Sequence, residues 1–140
     1  MQLPITLMYA GIFAIFALVL SFRAGSARGK AGASILFGEP VNMKLAEKVR
    51  VHQNFLEYVP MFLIVFAALE MSGVSALFLY IVGDLMIISR IAHAIGLKHD
   101  NMAHIGRLIG AGGTALITFV CSVYAIAISG KYLLENGLLL

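Results

Sequence analysis

Charged residues are scarce in this 140-residue chain. Only 12% of the sequence is charged and 61% is hydrophobic, whereas a soluble domain has about a quarter charged residues and under half apolar ones. The mean hydropathy of +0.95 likewise argues against an ordinary soluble protein. Tryptophan is absent and cysteine occurs once, at Cys121. The chain therefore has no internal disulfide and no redox thiol pair, and we expect Cys121 to be a buried structural residue.

Four apolar runs are each long enough for a transmembrane helix, which needs about 20 mostly apolar residues. The runs cover residues 4–22, 51–71, 74–97 and 108–130. Together they take up most of the chain and leave no room for a separate soluble domain. The sequence therefore predicts an all-α integral membrane protein, a four-transmembrane-helix bundle that forms a single domain over residues 1–140.

Basic residues are absent ahead of the first apolar run. A signal peptide carries positive charge at that point, whereas residues 1–8 have none and Arg23 follows the run. We therefore expect a retained helix. Most of the ten basic residues lie between helices one and two or around the link between helices three and four, so the positive-inside rule places both links in the cytoplasm and both termini outside it. These basic residues are dispersed and accompany no recognisable binding module, so nucleic-acid binding is not expected.

The link between the first two helices has two parts. Residues 24–34 are rich in glycine and small side chains, which favours irregular or frayed helix. Gly38-Glu39-Pro40 is a turn signal, and Asn42 can cap a helix that begins near Met43. We expect that helix to run without interruption into the membrane.

The second helix has one polar face at its start. Each helical residue turns the chain by about 100°, and four polar side chains then fall within about 100° of one another. They are Arg50, Gln53, Asn54 and Glu57. Glu57 is the only charge between residues 55 and 68, and a carboxylate at mid-bilayer costs roughly 2.5–3.5 kcal/mol. It therefore needs a partner or a function. His52 points away from this face.

The third helix offers Glu57 a partner. Arg90 shares a helix face with His93 and lies about seven residues before the end of its helix, while Glu57 lies about seven residues after the start of its own, so both are roughly 10 Å deep. The sequence predicts a Glu57–Arg90 pair, either functional or purely structural. Arg107 opens the fourth helix, as an interfacial anchor or as a cation beside an anionic ligand. Asp84 has no sequence partner; it could be protonated or paired across a subunit interface.

Two smaller patterns concern packing and metals. Gly106-x-x-x-Gly110 and the following Gly112-Gly113 predict a surface of small residues for close helix packing. His99 and His104 lie in a short polar loop without a carboxylate or cysteine at ligand spacing. No metal site is therefore expected.

One pattern in the second helix is specific enough to suggest a family. It reads Arg50-x-His52-x-Asn54-x-x-Glu57-x-x-Pro60. In this position it resembles the signature of the MAPEG family, membrane-associated proteins in eicosanoid and glutathione metabolism, and Arg90-x-x-His93 and Arg107 extend the likeness. Residues 38–60 are similar to small bacterial members. The resemblance implies a homotrimer in a bacterial inner membrane, with glutathione as co-substrate between neighbouring subunits near the cytoplasmic side.

The resemblance also implies roles for individual residues. The tripeptide-binding or site-supporting residues would be Arg50, Asn54, Glu57, Arg90 and His93. Arg107 would be the catalytic residue that stabilises the glutathione thiolate, and Arg28, or else Lys30, would meet a glutathione carboxylate. The implied function is a glutathione-dependent transferase or peroxidase that acts on lipophilic small molecules arriving through the membrane lipid.

Two residues depart from the family pattern. Gln53 stands where characterised synthases tend to have arginine, and Leu97 where some have a ligand-contacting tyrosine. Compared with arginine and tyrosine, Gln53 and Leu97 make fewer polar contacts with a ligand. This difference favours an alternative: a non-catalytic protein of the same fold whose polar cluster is structural or binds another anionic ligand. The presence of Arg107 favours the enzyme. A small transporter is a third class. The absence of a polar stripe that crosses the membrane on any helix argues against it, and only Asp84 favours it.

Overall fold

Four long helices make up the computed structural model, which describes residues 2–138. They are α1 (Pro4–Ala31), α2 (Met43–Met71), α3 (Ala76–Gly96) and α4 (Ile105–Glu135). All four are long and apolar enough to cross a membrane, which confirms the all-helical class and the prediction of four helices of membrane-spanning length. α1 packs mainly on α2 and α3 on α4, and contacts between α2 and α4 join these two hairpins.

The first helix is longer than its apolar run. α1 continues to Ala31, so of the two expectations for residues 24–34, irregular structure or frayed helix, irregular structure is wrong for residues 24–31. The reason is tertiary: Ala24 is buried in a small apolar cluster with Leu45 of α2, and packing of this kind supplies most of the stability of a helix in a protein. Gly32 then ends the helix with a left-handed φ of 62°, a conformation that glycine adopts without steric cost.

The second helix begins where the sequence predicts, at Met43. The side-chain oxygen of Asn42 accepts a hydrogen bond from the backbone N–H of Leu45 at 3.0 Å, which satisfies one of the free donors at a helix N-terminus. Arg50 therefore lies about two turns inside the helix. From this polar face α2 continues into its apolar run without a break.

The two ends of the bundle differ in chemistry. The links 32–42 and 97–104 lie at one end, together with most of the basic residues; we call it the basic end. At the other end, Glu70 of α2 accepts the backbone N–H groups of Ile5 at 2.9 Å and of Thr6 at 2.7 Å. A carboxylate in that position satisfies two free donors of the first turn of α1 and complements the helix dipole. Sequence reasoning did not identify this role of Glu70.

Asp84 has its partner within the same chain. The Tyr9 hydroxyl lies 2.7 Å from Asp84 Oδ1 and 3.0 Å from the backbone oxygen of Tyr80, and its single proton can be donated to only one of them at a time. Gly83 makes this approach possible, because a Cβ at that position would overlap the Tyr9 ring. Neither explanation offered on sequence grounds, a protonated carboxyl or a pair across an interface, is needed to give Asp84 a hydrogen bond.

Glycines of α4 let it pack closely on α3, as predicted. A Cβ at Gly110 would overlap the backbone of His93, and one at Gly113 would overlap the Ser89 hydroxyl. Gly112 faces open space, so only part of the predicted small-residue surface packs against α3. Cys121 is fully buried, in agreement with its expected structural role.

Candidate functional site

A cavity of about 380 Å³ opens at the basic end among α2, α3 and α4; we call it the polar cavity. Its volume falls within the range of about 300–1,000 Å³ that is usual for small-molecule sites. Four of the predicted site residues line it, namely Arg50, Asn54, His93 and Arg107. The structure thus brings together, within one chain, residues that come from three helices.

Close approach of α3 and α4 places Arg107 at this cavity. A Cβ at Gly96 would overlap the backbone nitrogen of Arg107, so the two helices meet backbone to backbone here. The ring of His104 accepts the backbone N–H of Gly106 at 3.1 Å and caps α4. Arg107 therefore lies in the first turn, where the helix dipole disfavours a cation. The helix itself gains nothing from a guanidinium there, which favours a role in contact with something else.

Arg90 contacts a different residue from the predicted one. Its Nη1 donates to Asn54 Oδ1 at 3.2 Å, while Glu57 Oε1 pairs with Arg50 Nη1 at 2.7 Å. The predicted Glu57–Arg90 pair is therefore wrong. Asn54 and Glu57 differ by about 60° on the helical wheel, and the Asn54 side faces α3. Glu57 is left pointing outward, with 46% of its side chain exposed.

A second, smaller cavity of about 70 Å³ lies beside Arg90, which is only 2% exposed. Asn54 and Ala111 line both cavities, so the buried guanidinium lies next to the wall of the polar cavity. Arg90 Nε has no hydrogen-bond partner among residues 2–138. Buried donors in proteins are nearly always satisfied, and the small cavity is the space in which a water or an anionic oxygen can do so.

Glu47 is a cavity residue that sequence reasoning missed. Its Oε1 accepts the backbone N–H of His99 at 2.8 Å and lies 2.6 Å from His99 Nδ1, which fastens the 97–104 link to α2. The premise that His99 lacks a nearby carboxylate is therefore wrong, and the ligand atoms of Glu47, His99 and Asp100 lie within 4.8 Å of one another. Glu47 stands three residues before Arg50, so extending the polar face back by one turn would have identified it.

Two predicted site residues lie outside both cavities of the single chain. Glu57 is turned outward, and Arg28 Nη1 donates to the backbone oxygen of Leu36 at 2.8 Å. Of the two departures from the family pattern, Leu97 lines the polar cavity and Gln53 is exposed.

These observations define a class: a four-helix membrane protein with a cationic cavity between three helices at one end. The family model described as the MAPEG family matches residues 6–127, so the chain belongs to the MAPEG family, as the sequence resemblance indicated. The chain is also similar to the inner membrane protein YecN of Escherichia coli strain K12, with 24% identity over 95 residues, which is 68% of this chain and 71% of YecN. YecN of E. coli O6:H1 gives the same values. No solved structure matches the chain.

Proposed function

We propose that this protein is a glutathione-dependent transferase or peroxidase that acts on lipophilic electrophiles. The observation that carries the proposal is the polar cavity at the basic end, where Arg50, His93 and Arg107 from three helices line one space of about 380 Å³. Membership of the MAPEG family supports it, because the family resemblance implies glutathione chemistry at these positions.

The charges of the cavity complement those of glutathione, which has two carboxylates and one ammonium group. Arg50 and Lys98 line the cavity and supply cations; a guanidinium can bind a carboxylate through two parallel hydrogen bonds. Glu47 supplies the opposite charge. Its contacts with His99 both use Oε1, which leaves Oε2 to accept a hydrogen bond from the ligand ammonium.

Arg107 is the proposed catalytic residue. A guanidinium beside the sulfur favours thiolate over thiol, and the thiolate is the nucleophile. The thiol proton passes to water, and a sulfur electron pair then forms a carbon–sulfur bond with the electrophile. The leaving group, a chloride in the case of an aryl chloride, departs with the electron pair of the broken bond. Arg107 thus stabilises the negative sulfur until the new bond forms.

The proposed assembly is a homotrimer with glutathione between neighbouring subunits. The outward face of α2 supports an assembly, because Arg50 and Glu57 have 52% and 46% of their side chains exposed where the helix enters its apolar run. Ionic groups that face hydrocarbon are costly, and cover by a second subunit would remove part of that cost. The same arrangement would bring Glu57 or Arg28 of one subunit towards the ligand of the next.

The proposed location is a bacterial inner membrane, with the basic end in the cytoplasm and both termini on the other side. The asymmetry of the basic residues supports this orientation, and the relative YecN is named as an inner membrane protein. Glutathione would then enter from the cytoplasm, while a lipophilic electrophile would reach the cavity through the lipid.

A glutathione titration together with a conjugation assay tests the proposal. The protein is purified in detergent, glutathione binding is measured by calorimetry, and chloride release from an aryl chloride is followed in time. We expect binding at or below millimolar glutathione. In Arg107→Ala we expect binding to persist while turnover falls roughly 100-fold or more, the usual loss when one stabilising donor is removed from a developing anion.

Lys131→Ala is the matched control, because Lys131 is exposed near the opposite end and makes only a 3.8 Å pair with Glu135. It should change neither glutathione binding nor turnover. Absence of glutathione binding at millimolar concentration would overturn the proposal. Unchanged turnover in Arg107→Ala would remove Arg107 from the mechanism.

A second candidate function is structural, and two contacts favour it. The Arg90–Asn54 hydrogen bond joins α3 to α2, and the Glu47–His99 pair joins the 97–104 link to α2. A protein that binds no glutathione but loses stability when these contacts are removed would match the non-catalytic alternative.

A further inference from the structure

A groove between α1 and α2 at the basic end is separate from the polar cavity. It has a volume of about 380 Å³ and is lined by Phe22, Arg23, Ser26, Ala27, Lys30, Lys44 and Lys48. None of these residues lines the polar cavity or the small cavity beside Arg90. Four of the seven are basic and none is acidic; we call this surface the basic groove.

The basic side chains of the groove recur at helical spacing on both walls. Arg23 and Lys30 are two turns apart on α1, and Lys44 and Lys48 are one turn apart on α2. Within the part of the chain that the structure describes, none of the four takes part in an ion pair. Like charges that share one groove repel one another. An anion in the groove would relieve this repulsion.

The end of the apolar run of α1 indicates that the groove lies at the level of phospholipid headgroups. Arg23 directly follows the apolar run of α1, and Lys30 lies about 10 Å further along the helix axis. The headgroup layer extends roughly 5–8 Å beyond the hydrocarbon core on each side, so the cations cover its depth. On the hydrocarbon side of Arg23, Val19 and Phe22 are 50% and 78% exposed, which offers acyl chains an apolar surface.

We propose that the basic groove binds the headgroup of an anionic phospholipid, whose acyl chains run along α1 over Phe22. Basic pockets between transmembrane helices suit such headgroups. The phosphate oxygens accept hydrogen bonds from Arg23, on the α1 wall at the hydrocarbon side of the groove, and from Lys44 and Lys48 on the α2 wall. This inference does not depend on the proposed glutathione chemistry, because the residues that would hold the phosphate, Arg23, Lys44 and Lys48, have no role in it; among the groove residues only Lys30 is also a candidate for contact with glutathione.

Native mass spectrometry of the full chain in detergent tests the inference with two lipids of identical acyl chains, phosphatidylglycerol and phosphatidylcholine. The wild-type protein should bind phosphatidylglycerol preferentially. Each basic residue near an anionic headgroup contributes about fivefold in affinity, so Lys48→Gln should lower phosphatidylglycerol affinity about fivefold and the double variant Lys44→Gln/Lys48→Gln roughly 25-fold. Phosphatidylcholine binding should be unaffected.

Two further variants keep the test decisive. Lys131→Gln removes one charge at the opposite end and should leave phosphatidylglycerol binding unchanged. Arg23→Gln tests the other wall of the groove and should lower phosphatidylglycerol affinity about fivefold, even if the double lysine variant fails to fold.

Four results would overturn the inference. The first is equal binding of the two lipids, and the second is full retention of the phosphatidylglycerol preference when the lysines or Arg23 are replaced. The third is complete displacement of phosphatidylglycerol by inorganic phosphate, which would make the groove a site for a soluble anion. The fourth is its displacement by glutathione, which would assign the groove to the tripeptide. Failure of glutathione to bind anywhere would leave the lipid inference intact.

Discussion

Asn54 and Arg90 should be energetically coupled, whereas Glu57 and Arg90 should not. This prediction separates the observed contact from the one that helical geometry alone suggests. The perturbations are Asn54→Ala, Arg90→Met and their combination, compared with Glu57→Gln, Arg90→Met and their combination. Methionine keeps much of the arginine volume but carries no charge or donor, so the cycle removes the interaction without opening a large cavity.

The magnitude follows from the contact between Asn54 and Arg90. A hydrogen bond to a charged group contributes about 1.5–3 kcal/mol, but the distance of 3.2 Å is at the long end of the normal range. Arg90 is 2% exposed whereas Asn54 is only partly buried, and water in the small cavity can replace the asparagine in part. We therefore expect a coupling of about 1–2 kcal/mol for Asn54 with Arg90 and less than about 0.5 kcal/mol for Glu57 with Arg90.

The assay is reversible unfolding in mixed micelles, in which sodium dodecyl sulfate is titrated against a mild detergent and helicity is followed by circular dichroism. Protein and detergent concentrations must be held constant, because any association of subunits makes the apparent stability concentration-dependent. A Glu57–Arg90 coupling equal to or larger than the Asn54–Arg90 coupling would refute the reasoning and restore the pair predicted from sequence. Additive losses in both cycles would show that Arg90 depends on neither side chain.

Two further predictions concern the packing that holds the site. Glu70→Gln should lower the free energy of unfolding by about 0.5–2 kcal/mol, the usual range for loss of a helix cap, and hydrogen exchange should become faster at the first turn of α1. Gly110→Ala should lower the free energy of unfolding by about 1–3 kcal/mol through overpacking, because the added Cβ would lie 2.5 Å from the Cα of His93. The same displacement of His93 should weaken glutathione binding. Unfolding measures the first effect and calorimetry the second.

Each of these variants has a matched control in the same chain. Glu135→Gln changes an exposed carboxylate with only a 3.8 Å contact to Lys131, so its effect should stay within the few tenths of a kcal/mol typical of exposed pairs. Gly112→Ala adds a methyl group into open space and should be neutral or slightly stabilising. If either control loses as much stability as its partner variant, the loss comes from the change of residue type and not from the contact described.

Much of the fold could be predicted because the relevant physics is local. An apolar run of about 20 residues is long enough to span a bilayer whatever its tertiary surroundings, so the sequence alone predicts four such helices. The Asn42 cap and the start of α2 at Met43 depend on residues three apart in sequence. The extension of α1 to Ala31 was missed because it depends on burial of Ala24 against α2, which no local pattern contains.

The candidate site could be predicted in composition but not in pairing. The 3.6-residue period and the family pattern identified Arg50, Asn54, His93 and Arg107, and the structure places all four around one cavity. The period does not say how far α2 is rotated about its axis relative to α3. A rotation of about 60° separates a Glu57–Arg90 pair from the Asn54–Arg90 hydrogen bond that forms.

The sequence by itself determined the membrane class, the four helices, the family and the polar face of α2, because hydrophobic length and helical period are properties of short segments. Only the tertiary structure decided the partners: Asn54 for Arg90, Tyr9 for Asp84 and Glu47 for His99. Each of these contacts joins segments at least 36 residues apart. Such pairing depends on which helices become neighbours and on their rotation, and packing of the whole bundle sets both.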